Sequence, residues 1–114
     1  RTNSCSAALL KNHSIVGISH SASSSTKAIR MVSEEAKDFF NRKNIAYSKE
    51  NNIADILASD SSISLTDELI ELIQNGLKAI IQPGDLNNDN QEFIDFCNEH
   101  GVSMIFTKMP HITY

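Results

Sequence analysis

Residues 78–89 read KAIIQPGDLNND. The uninterrupted apolar run Ala79-Ile80-Ile81 is what a strand covered on both faces requires, and such strands belong to parallel sheets flanked by helices. Pro83 has no N–H to give to a ladder, so pairing is expected to stop there. Gly84 permits a tight turn toward a following helix. A turn at the carboxyl end of a parallel strand, just ahead of a helix N-terminus, is where open α/β sheets receive their ligands. The stretch therefore sets both the fold class and the place to look for a site.

On either side the pattern repeats. Upstream, residues 65–76, LTDELIELIQNG, place Leu69, Ile70, Leu72 and Ile73 at helical spacing, with acids in the first turn and Gly76 where a helix-terminating glycine belongs. Downstream, residues 90–100 carry Phe93, Ile94 and Cys97 on one side. Asp89 and Glu92 stand at capping-box spacing and Gly101 closes the helix. VSMIF, residues 102–106, reads as the last strand. IADILASD, residues 53–60, is ambiguous by periodicity alone, and its ending in Asp-Ser-Ser favours a strand that delivers polar residues to a sheet edge.

Nearer the start, residues 3–10 and 14–19 are short, apolar and separated by Lys-Asn-His, the pattern of a β-hairpin. A Ser-rich loop over residues 19–26 leads into a helix over residues 27–42, with Ile29, Val32, Ala36, Phe39 and Phe40 on one side. Residues 43–52 are polar and read as irregular. The order β-β-α-β-α-β-α-β implies one mixed, largely parallel sheet with helices on its faces, in a single domain of 114 residues. A chain of that size buries roughly two-thirds of its unfolded surface, enough for a core without staples.

Composition narrows the function. The net charge is −4, with 40% apolar and 21% charged residues, and no basic cluster exceeds two residues. That argues against a nucleic-acid backbone as partner. No apolar run approaches the ~20 residues of a membrane span, and no signal peptide is visible. Cys5 and Cys97 belong to no C-x-x-C pair, which favours a reduced, cytoplasmic chain over a disulfide scaffold. His13, His20, His100 and His111 make no metal spacing and read as surface or capping residues. Ser24-Ser25-Thr26-Lys27 fits S-x-x-K, a pattern that a serine run beside a lysine matches by accident. The same loop could cradle a phosphate with backbone N–H groups at the helix start.

From Ala79 to Tyr114 the line AIIQPGDLNNDNQEFIDFCNEHGVSMIFTKMPHITY resembles the C-terminal end of AICAR formyltransferase, the larger activity of the bifunctional purine-biosynthesis enzyme that also carries IMP cyclohydrolase. ASDSSISLTDELIELIQNG is similar to that family's A-S-D-A-F-F-P-F-x-D-x-I segment, with the spacing from Asp60 through Asp67 to Gly76 preserved. RTNSCSAAL and SIVGIS resemble its K-S-N-A-I and V-G-I-G-A-G-Q strands. The resemblance implies a cytidine-deaminase-like α/β/α layered fold and formyl transfer from 10-formyltetrahydrofolate to AICAR, with no metal and with sites built at a homodimer interface. It implies substrate-binding roles for Asn3, Asp60, Asp67 and Gly84, each with a structural alternative: strand start, strand end, helix N-terminal acid and turn.

The departures from the family are specific. The catalytic Lys-His pair belongs to the first half of the formyltransferase, which this chain does not contain, so no catalytic residue is assigned and the chain is expected to be inactive alone. Ser62-Ile63-Ser64-Leu65 replaces the aromatic segment. Ser25 and Pro110 stand where the family has arginines, and Asp85 where it has a second glycine. Lost charge-assisted bonds cost roughly 1.5–3 kcal/mol each, so AICAR-like nucleotide binding is expected to be weak. A non-catalytic interaction domain, pairing with itself or with the missing half of a longer enzyme, and a small nucleotide-binding module are the alternatives.

Overall fold

The computed structural model describes residues 5–22, 24–43, 52–61, 63–83 and 91–107. Eight elements follow in the expected order: β1 (Cys5–Lys11), β2 (Ser14–Ala22), α1 (Ser25–Arg42), β3 (Ile56–Ser59), α2 (Asp67–Gln74), β4 (Ala79–Gln82), α3 (Gln91–Glu99) and β5 (Ser103–Phe106). The five strands form one sheet in the order β2-β1-β3-β4-β5. β1 runs antiparallel to both β2 and β3, whereas β3, β4 and β5 are mutually parallel.

Local chemistry explains each boundary. The hairpin turns through Asn12 and His13 at φ of 52° and 68°, the left-handed pair that a two-residue turn needs to match strand twist. Ser24 caps α1, its Oγ accepting from Lys27 N at 3.1 Å. The S-x-x-K spacing is therefore the i to i+3 spacing of a helix cap. Thr66 caps α2 in the same way, accepting from Leu69 N at 3.4 Å. Gly76 and Gly101, at φ of 103° and 72°, end α2 and α3. Leu77 N donates to Leu72 O and Gly76 N to Ile73 O, and Val102 N and Gly101 N repeat this with Cys97 O and Asn98 O, the two-bond helix ending that favours glycine.

Three sequence readings are corrected. The Ser-rich loop is shorter than read: β2 continues through Ala22 and α1 already begins at Ser25, because edge pairing and the Ser24 cap consume most of it. Ile53 and Ala54 are buried ahead of β3 rather than part of it. The sheet is also not covered on both faces by the described residues. Leu9, Leu57 and Ile80 have no exposed surface, whereas Ala8, Ala58 and Ile81, pointing the other way, are only half-buried.

The core lies on the covered face. Ile29, Val32 and Ala36 of α1, Leu69 and Ile73 of α2, and Phe93 and Cys97 of α3 close over Leu9, Leu57 and Ile80. Phe39 packs against its margin, with its ring 6.1 Å from that of Phe40. α1 sits so near the sheet that a Cβ on Gly17 would lie 2.6 Å from Val32 O. Arg30–Glu68 (3.5 Å) and Lys37–Glu71 (2.9 Å) tie α1 to α2. Glu35 Oε1 accepts from Ile18 N at 2.6 Å, occupying a backbone donor of edge strand β2 that would otherwise invite another strand.

Candidate functional site

Because β2 and β3 flank antiparallel β1 and run in the same sense, the carboxyl ends of β2, β3 and β4 lie at one end of the sheet, and α1, α2 and α3 follow from that end. Three helix N-termini facing one end would favour an anion. The first turns of α2 and α3 work against it. Ser24 and Thr66 already take up backbone donors of α1 and α2. Asp67 and Glu68 occupy the first turn of α2, and Glu92 that of α3.

Of the expected site residues, Asp60 and Asp67 are described; Asn3 and Gly84 lie outside the described residues, as do Asp85, Asp89, Pro110 and His111. Asp60, just past β3, binds the start of β1 twice: its Oδ1 accepts from Ser6 N at 2.8 Å, and its own N–H donates to Ser6 O at 3.2 Å. The carboxylate extends the β1–β3 pairing by one step. Asp67 is exposed in the first turn of α2, where a carboxylate meets the helix dipole.

The loop between them is held from below. Gln82, 1% exposed at the end of β4, accepts on Oε1 from Ile63 N at 2.7 Å, and its Nε2 lies 3.1 Å from Met104 Sδ. Thr107 N donates to Gln82 O. Ser59 Oγ donates to Ser61 O and accepts from Ser61 N, and the Ser61 hydroxyl is enclosed without a partner. What stands over the end of β4 is thus the loop that carries Ile63, pinned by Gln82. Sequence reading treated Gln82 as a strand end; its only signal was a lone amide in an apolar run.

Beside Asp60, on the open face, a shallow furrow of about 240 Å³ is lined by Ser6, Ala8, Ile18, Ala58 and Ser59. Among its described lining residues Asp60 is the one ionisable group, so this furrow offers neither a cation for phosphate nor an acid–base pair. No group of three or more His, Cys, Asp or Glu among them is placed to hold a metal ion.

The opposite end of the sheet holds a polar network that sequence reading missed. Asn52, 5% exposed, accepts from Lys11 Nζ at 2.6 Å and donates through Nδ2 to Ala54 O (2.7 Å), Asp55 Oδ1 (2.7 Å) and Gly76 O (2.9 Å). Asp55 Oδ2 in turn accepts from Asn12 N at 3.1 Å. The Asn52 amide, followed by Asn12 N–H, Lys78 and Lys11, holds the Asp55 carboxyl below its ordinary pKa against the opposing effect of burial. The network joins the hairpin turn, the start of β3 and the end of α2, which identifies it as scaffold. Cys97 is buried in the core, and desolvation pushes its thiol up to about 11, too high for a nucleophile at neutral pH.

Among known proteins, the chain is 33% identical over 106 residues to the bifunctional purine biosynthesis protein PurH of Streptococcus uberis, an alignment covering 93% of this chain and 18% of that protein. Against the protein of the same name from Streptococcus agalactiae it is 31% identical over the same share. A shorter match, 48% over 61 residues, links it to the Clostridium botulinum protein, covering 54% of this chain and 12% of that one. The chain thus spans less than a fifth of the length of the curated relatives it matches. No family model matches it. Among the described residues, no helix is long and apolar enough to cross a membrane.

Proposed function

The chain belongs to the family of bifunctional purine biosynthesis proteins PurH, and from that premise we propose that it corresponds to the C-terminal part of the formyltransferase region, a cytidine-deaminase-like domain. In this reading it serves formyl transfer from 10-formyltetrahydrofolate to AICAR only within a complete, cytoplasmic enzyme and is inactive alone. The observation that carries the reading is the 106-residue alignment, which runs through 93% of the chain. The mixed five-stranded sheet with helices beginning at the carboxyl ends of its parallel strands is consistent with it.

Weak ligand binding follows from the charges. Asp60 engages Ser6, and the first turns of α2 and α3 carry acids. Ser25 and Pro110 supply no cation where the family has arginine, and Asp85 adds a carboxylate. Titration calorimetry of the 114-residue chain with AICAR should show affinity no tighter than about millimolar, worth only ~4 kcal/mol. The chain mixed with AICAR and 10-formyltetrahydrofolate should give no formylated product. Pro110→Arg combined with Asp85→Gly should tighten AICAR binding. Micromolar affinity or turnover in the unsubstituted chain would overturn the reading.

A further inference from the structure

The two edges of the sheet, β2 and β5, are built differently. On β2 the Glu35 carboxylate takes up the Ile18 N–H. On β5 the sequence Ser103-Met104-Ile105-Phe106 holds neither a charge nor a proline, the usual guards of an exposed edge. Ser103 N donates to Lys78 O and Thr107 N to Gln82 O. In a parallel ladder the N–H and C=O of one residue point to the same side, and successive residues alternate. Those of Met104 and Phe106 therefore point away from β4, and they have no partner among the described residues. The side chains of Met104 and Phe106 lie on the helix-covered face, as those of their ladder partners Ile80 and Gln82 do. Between this edge and α3 runs a groove of about 440 Å³, lined by Ile94, Asn98, Val102, Met104 and Phe106, and none of its described lining residues is charged.

We propose that the β5 edge takes one further strand, an extended and uncharged segment from elsewhere in a longer polypeptide, with apolar side chains at alternate positions. The form of the occupant follows from the backbone. Met104 and Phe106 present their N–H and C=O groups in the plane of the sheet, about 6.8 Å apart. An extended chain laid beside β5 offers its own groups at that repeat. A helix has already spent its groups internally, and an apolar surface has none to give. Every second side chain of the added strand then falls into the groove against Ile94 and Asn98. Because the lining is neutral, a charged side chain there would be desolvated without a partner, so the segment is apolar at those positions. Its source follows from length. The alignment covers 18% of the Streptococcus uberis protein, so most of such a polypeptide lies outside these residues. The proposal thus rests on the reading that the chain works as part of a longer polypeptide.

Hydrogen exchange at the Met104 and Phe106 amides, compared between the complete polypeptide and the 114-residue chain, tests it. Both amides should exchange freely in the 114-residue chain and at least about a hundredfold more slowly in the complete polypeptide. Phe106→Pro removes an outward N–H without touching the pairing to β4, a change that an edge strand tolerates. In the complete polypeptide it should speed exchange at Met104 at least about tenfold, whereas Phe106→Thr, which loses the ring and keeps the N–H, should leave Met104 protected. Free exchange in the complete polypeptide overturns the proposal. So does equal protection in the 114-residue chain, which would place the occupant within those residues or, where protection rises with concentration, on a second copy. Protection at Met104 that survives Phe106→Pro would show a cover other than a paired strand and would also overturn it. A formyl-transfer assay on the same complete polypeptide keeps the two readings apart: product formed while both amides exchange freely sinks the added strand alone, and protected amides without product sink the formyltransferase reading alone.

Discussion

Replacing Asn52 by Ala should be the most costly single change at the amino end of the sheet. The side chain accepts one bond from an ammonium group and donates to two backbone carbonyls and one carboxylate. Each neutral bond is worth about 1 kcal/mol net, and those to charged groups about 1.5–3. Lys11 and Asp55 are half-buried and regain water when the amide is lost, which brings their share to the lower end. With two Nδ2 hydrogens serving three acceptors, one neutral and two charged bonds count in full and the sum is about 4 kcal/mol, a large part of the 5–15 kcal/mol typical of a domain. Urea unfolding at neutral pH reads it directly.

Acidification gives the same argument a second test. The folded-state pKa of Asp55 is depressed, first by the Asn52 amide. Its contribution is therefore complete above the unfolded carboxyl value, 3.8, and is lost as pH falls through the lower folded value. The gap in stability between wild type and Asn52→Ala should narrow below about pH 4, because protonating Asp55 removes what Asn52 favours. A loss under ~1 kcal/mol at neutral pH, or a gap that widens on acidification, would refute the assignment of this network as scaffold.

Gly17→Ala places a methyl 2.6 Å from Val32 O and should cost about 1–3 kcal/mol, measured by thermal melt, with far-UV dichroism retained. Gln82→Leu removes the acceptor for Ile63 N; hydrogen exchange at the Ile63 amide should speed by at least about tenfold, corresponding to ~1.4 kcal/mol, while core amides on β4 change less. Cys97, with its thiol raised to about 11 by burial, should resist thiol reagents at pH 8 in the native state and react on unfolding.

Local chemistry made the element order legible. Gly76 and Gly101 stop helices because their positive φ suits glycine, and Ser24 and Thr66 start them because a hydroxyl three residues ahead of an N–H closes a cap. The open face was not legible for the opposite reason. Ala8, Ile18, Ala58, Ile81 and Ile105 are as apolar as the residues packed beneath the helices, so the alternation that separates a covered face from a bare one is missing from the sequence. Asn52 was hidden inside a polar stretch. Its burial depends on the hairpin turn and on the end of α2, both distant in sequence. Asp60 and Asp67 both lie at the carboxyl end of the parallel strands, yet the bond from Ser6 N that occupies Asp60 follows from β1–β3 register, which no local pattern states.

The two ends of the sheet are built differently, and the difference bears on what the chain can tolerate. At the amino end, Asn52, Asp55, Lys11 and the Asn12 N–H satisfy one another, so the scaffold closes there without a ligand. At the carboxyl end, Asp60 and Gln82 hold backbone groups of β1 and of the loop over β4. The caps of α1 and α2 and the acids at the starts of α2 and α3 weaken the attraction for an anion there. A ligand-dependent fold would have invested its buried polar groups at the ligand-binding end, because unsatisfied groups there would demand an occupant. Among the described residues the most extensive buried network lies at the other end. Stability and ligand binding should therefore separate: substitutions such as Asp67→Asn should alter anion affinity with little effect on unfolding, and Asn52→Ala should do the reverse.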